Sequence, residues 1–73
     1  MKYKITLFYK KETHTFHTYA QSKNRARYNA FIQLAKKLHL TSAYPISCHF
    51  HAFPNDCTIT LVTEKEQQKE KNP

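Results

Sequence analysis

The chain has 73 residues, a formal net charge of +7 and no glycine. That length sets a limit of one domain, and such a domain buries only roughly 60% of the surface its unfolded chain exposes. A deep catalytic cavity has little room to form, so a binding or accessory module is the expected class. The charge is unevenly placed. Residues 1–63 carry nine Lys and Arg against only Glu12 and Asp56, whereas residues 64–73 carry three charges of each sign. The expected organisation is a single basic domain over 1–63 followed by a flexible charged tail over 64–73, which has no apolar residue.

The first predicted element is a β-hairpin. Tyr3 to Tyr9 and Thr13 to Ala20 alternate apolar and polar residues and are rich in β-formers. A turn at Lys11 and Glu12 sets Leu7 against Phe16, Ile5 against Thr18 and Tyr3 against Ala20. Ser22 then serves as an N-cap for a helix running to about His39. Ala26, Ala30, Phe31, Leu34 and Leu38 fall on its apolar face, and Arg25, Asn29, Ile32 and Lys36 on the opposite stripe. Thr41 to Pro45 reads as a connection. Ile46 to Phe53 and Cys57 to Thr63 alternate again around a Pro54-Asn55-Asp56 turn. They predict a second hairpin, with Phe50 against Leu61 and Ala52 against Ile59. The expected fold is α+β, a small two-layer ββαββ sandwich. Its antiparallel four-stranded sheet, or pair of hairpins, is covered on one face by a single helix.

Two surfaces of that fold are candidates for binding. The sheet face away from the helix would display Lys4, Thr6, Phe8, Lys10, Thr15, His17 and Tyr19 from the first hairpin. From the second it would display His49, His51, Phe53, Thr58, Thr60 and Val62. Aromatic rings can stack on unpaired bases, and lysines can contact phosphates. Phe8, His17, Tyr19, Ile32, His49, His51 and Phe53 are therefore the expected stacking or interface residues. The helix offers Lys23, Arg25, Arg27, Lys36 and Lys37, with Asn29 able to read a base edge. Together with Lys2, Lys4, Lys10 and Lys11, these cations are the expected phosphate contacts, with salt-dependent affinity. No second helix is expected, so a helix-turn-helix is not.

Histidine and cysteine are numerous, but their spacing does not make a metal site. Cys48 and Cys57 fall about 20 Å apart in this register, at ~3.3 Å per residue, so no disulfide is expected. Both are read as small core residues. A zinc site from His17, His49 and His51, or a histidine-based ribonuclease using them, is the weaker alternative. No cofactor and no catalytic residue are assigned, and the protein is not expected to be an enzyme. The expected partner is DNA or RNA. The alternative is an acidic protein docked by an interaction or inhibitor module, with a homodimer through the exposed sheet face as a further option. The layout is common among small accessory proteins, including those of phages and mobile elements. No apolar run approaches the ~20 residues that span a bilayer, so no membrane insertion is expected. Lys2 and Lys4 precede no continuous apolar stretch, so no signal peptide is read and a cytoplasmic location is the default expectation.

Overall fold

A computed structural model describes residues 1–62; the expected tail over 64–73 lies outside the described residues. Strands β1 (Lys2–Tyr9) and β2 (Glu12–Tyr19) form the first hairpin. Helices α1 (Lys23–Lys37) and α2 (Tyr44–Ala52) follow. A 3-10 turn over Pro54–Asp56 leads into strand β3 (Cys57–Val62). The sheet is three-stranded in the order β2-β1-β3, with both pairings antiparallel. The α+β class and the antiparallel sheet stand, but the sheet has three strands and there are two helices, because the expected third strand is a helix.

The hairpin turn is Lys10-Lys11, not Lys11-Glu12. Both residues have positive φ, 50° and 68°, as a two-residue type I′ turn requires. Tyr9 therefore pairs with Glu12, Leu7 with His14 and Ile5 with Phe16. The register moves by two residues from the expected one, so every side chain keeps its face. Tyr3, Ile5, Leu7 and Tyr9 point into the core, while Lys2, Lys4, Thr6 and Phe8 point away from it.

Helix α1 is built as its sequence suggests. Ser22 Oγ accepts from the Arg25 N–H at 3.2 Å, closing the first turn. Ala26, Ala30, Phe31 and Leu34 are buried and Leu38 packs against them. The helix ends in a Schellman motif: the Leu40 N–H reaches the Ala35 carbonyl and the His39 N–H reaches that of Lys36. His39 occupies the left-handed position with φ 59°, a place that glycine usually takes and that this chain has no glycine to fill.

The segment read as a third strand is α2. Pro45 sits in its first turn, where its missing N–H and fixed φ cost nothing. Ile46 and Phe50 are four residues apart, so they share one helix face and both are buried. Their even spacing also satisfies a strand's alternation, so the pattern fits either element. Phe50 packs on Phe31 with stacked rings 5.2 Å apart. The pairings of Phe50 with Leu61 and Ala52 with Ile59 do not form; Leu61 and Ile59 pair with Tyr3 and Ile5 of β1 instead. The core is thus one layer of β1 side chains against α1 and α2, with Phe16, Cys57 and Ile59 packed at its margins.

Candidate functional site

Among the described residues nothing covers the outer face of the sheet. Reading across β2, β1 and β3, its rows are Tyr19-Lys2-Val62, His17-Lys4-Thr60 and Thr15-Thr6-Thr58, with Thr13 and Phe8 beyond. Lys10 and Lys11 form the turn beyond Phe8 and both are exposed, with Lys10 Nζ 5.6 Å from the ring centroid of the inward-facing Tyr9. No acidic residue lies in these rows. Lys2 stands over the Tyr19 ring at 6.0 Å, a cation–π contact. The expected placement of Lys4, Phe8, His17 and Tyr19 on one exposed face is what the structure has.

Thr6, Thr15, Thr58, Thr60 and Val62 share that face as expected, but three other expected members are elsewhere. His49, His51 and Phe53 belong to α2 and its C-cap, in the helix layer. His49 packs edge-on against Tyr9 and Phe50, and its Nε2 lies 3.2 Å from Asp56 Oδ2. His51 and Phe53 are exposed. His17 is on the opposite layer, so the three imidazoles do not gather. Among the described residues no three His, Cys, Asp or Glu side chains converge. Cys48 is exposed on α2, contrary to its reading as a core residue, because the segment is helical; Cys57 is half-buried, and both are free thiols. Burial pushes the Cys57 thiol up, with Arg27 nearby pulling the other way. The Tyr44 phenol is raised by hydrogen bonding and charge interaction with Cys48, one turn further along α2.

The helix cations split into two kinds. Lys23, Arg25 and Lys36 are exposed on α1. The half-buried Arg27 and Lys37, which is exposed too, also reach back onto the body. Lys37 Nζ donates to His14 Nδ1 at 3.0 Å and lies 6.0 Å from the Phe16 ring centroid. An ammonium only donates, so the Nδ1 of the buried His14 is the acceptor and its hydrogen is on Nε2, which faces Glu12 Oε2 at 3.7 Å. Sequence alone does not single out this buried histidine. Its signal is its place on the inward face of β2, among alternating residues. Arg27 lies over the Phe31 ring at 5.9 Å. Asn29 donates from Nδ2 to Thr18 Oγ1 at 3.3 Å, so its amide is engaged with β2. Ile32 is half-buried.

One electrostatic fact links both layers. Glu12 and Asp56 each face a histidine. Among the described residues, none of the nine Lys and Arg side chains is ion-paired with a carboxylate. No helix among them is long and apolar enough to cross a membrane. No family model, curated protein or solved structure matches the chain.

Proposed function

We propose that this protein is a small nucleic-acid-binding accessory module whose sheet face contacts the phosphate backbone. The observation that carries the reading is the cation-bearing sheet face, which has no acid among the described residues, in a body whose two described carboxylates each lie nearest a histidine and not a Lys or Arg. Unneutralised lysines repel one another and gain from a polyanion. Lys2, Lys4, Lys10 and Lys11 supply phosphate contacts, threonine hydroxyls supply neutral donors, and Phe8 and Tyr19 supply rings for stacking on unpaired bases. The helix-layer cations Lys23, Arg25 and Lys36 extend the attractive field without sharing the face.

The same layout weighs against a homodimer through this face. Phe8 and Tyr19 lie at opposite ends, six residues apart along β1, or about 20 Å at ~3.3 Å per residue. Threonines and Lys4 fill the space between them, so no contiguous apolar patch is present to drive association.

Fluorescence anisotropy with labelled single-stranded DNA, duplex DNA and RNA over a range of salt tests the proposal. Affinity is expected to fall linearly in log–log form as salt rises. Lys2→Gln and Lys4→Gln should each reduce the slope by about 0.9 for every phosphate that is no longer neutralised. Absence of binding at low salt would overturn the reading. Equal binding to polyglutamate would move it to an acidic protein partner.

A further inference from the structure

The seam between α1 and α2 holds a groove that lies apart from the sheet face. Its wide part, 240 Å³, is lined by Tyr28 of α1, Ser42 and Ala43 of the connection, and Tyr44 and Ser47 of α2. Its narrow part, 50 Å³, is lined by Arg27, Phe31, Ser47, Phe50 and His51. Ser47 borders both, so they lie on either side of one residue of α2. Tyr44, Ser47 and His51 lie three and four residues apart and form one stripe along α2. Arg27 and Tyr28 are consecutive on α1. The groove thus passes from two phenol rings, past a hydroxyl, to a guanidinium and an imidazole.

Both ends keep open faces among the described residues. Tyr28 is 53% exposed and Tyr44 74%. Among the described residues neither ring meets another ring or a cation, whereas Tyr9, Phe31, Phe50 and Phe53 all do. Arg27 is held over Phe31 at 5.9 Å but has no carboxylate partner among the described residues. Open aromatic faces stack on planar bases. A guanidinium held by an aromatic ring suits the oxygens of a phosphate. The wide part is smaller than the ~300–1,000 Å³ pockets that enclose drug-sized ligands, which suits one base. The narrow part exceeds the ~10–15 Å³ needed to hold one water, so a small polar group can enter beside Arg27 and His51.

We infer that this groove is a nucleotide site, with the base against Tyr28 and Tyr44 and the phosphate at Arg27 and His51. It is separate from the sheet face. A free nucleotide and one unit of a single strand present the same chemistry. The test is a titration of the isotope-labelled full chain, followed by amide chemical shifts, with adenosine 5′-monophosphate, adenosine, inorganic phosphate and a short oligothymidylate. The monophosphate should move amides in 27–31 and 42–51 and bind more tightly than adenosine or phosphate. Tyr28→Ala and Tyr44→Ala, both at exposed positions, should weaken the monophosphate and adenosine about tenfold. Arg27→Gln and His51→Ala should weaken the monophosphate and spare adenosine; the exposed His51 serves where loss of Arg27 disturbs packing on Phe31. Shifts of the same amides by oligothymidylate would support the site with a strand as its source; shifts by the monophosphate alone would support it with a free nucleotide. Monophosphate binding no tighter than phosphate, or groove amides unmoved by every probe, would overturn the inference. Lys4→Gln, which weakens sheet-face binding, should leave the groove titration unchanged, so the two readings fail separately.

Discussion

The sheet face and the helix layer are both basic, but they hold their charge differently. On the sheet, Lys4 stands between His17 and Thr60 with no carboxylate partner among the described residues. In the helix layer, Lys37 is tied to the buried His14 and Arg27 rests on Phe31. These two helix cations therefore contribute to the fold, as Lys2 and Lys10 do on the Tyr19 and Tyr9 rings, while Lys4 has no such contact among the described residues. The difference teaches that net charge alone does not identify a binding surface. What identifies one is charge that the fold does not use.

The largest expected effect comes from removing what supports the helix layer. Phe50 is fully buried against Phe31 and Tyr9. Phe50→Ala should cost about 3–5 kcal/mol of stability, as large-to-small core changes do, measured by urea unfolding. A domain this small should be largely unfolded by it. The next substitution tests the comparison directly. Lys37→Met leaves the His14 acceptor without its donor and should cost about 1–2 kcal/mol, whereas Lys4→Met should stay within about 0.5 kcal/mol of wild type. Equal losses at the two positions would break the distinction. The hairpin turn offers a gain: Lys10→Asn with Lys11→Gly relieves two left-handed lysines and should stabilise by about 1 kcal/mol. If nucleic-acid affinity falls while stability rises, the turn lysines belong to the sheet-face site. The smallest effect is kinetic. Cys48 is exposed, while Cys57 is half-buried with its thiol pushed up by burial. Less thiolate at a given pH means slower attack, so iodoacetamide should modify Cys48 first, as peptide mass mapping would show.

The N-terminal half of the fold is legible because its signals agree with one another. β1 alternates over eight residues, Ser22 caps α1, and the apolar stripe of α1 has helical spacing throughout. The turn lies one position away from where the sequence suggests, because Lys-Lys carries none of the Asn-Gly chemistry that marks a type I′ turn. In 44–53 two periods coincide. Ile46 and Phe50 fit both a strand and a helix, and a helix wins because their shared face reaches Phe31 while Pro45 starts the first turn. That one reversal takes His49, His51 and Phe53 off the sheet and exposes Cys48. It also creates the groove beside Tyr28, which no arrangement with a single helix contains. The site residues of β1 and β2 stay in place despite the register difference, because a two-residue shift preserves faces. The acid-to-histidine pairings are not legible in sequence, since Asp56 meets His49 only once α2 and the 3-10 turn bring them together.

The strand order β2-β1-β3 also has a consequence during synthesis. β1 gains its first neighbour as soon as residues 12–19 leave the ribosome, but its second arrives only with residues 57–62. Translation at roughly 5–20 residues per second leaves one flank of the central strand without its partner for several seconds, while both helices are being made. A nascent chain paused in that interval presents Tyr3, Ile5 and Leu7 beside an open edge. Slow codons between 20 and 56 would prolong that exposure, and the lysines of the hairpin together with the cations of α1 would keep two such chains apart.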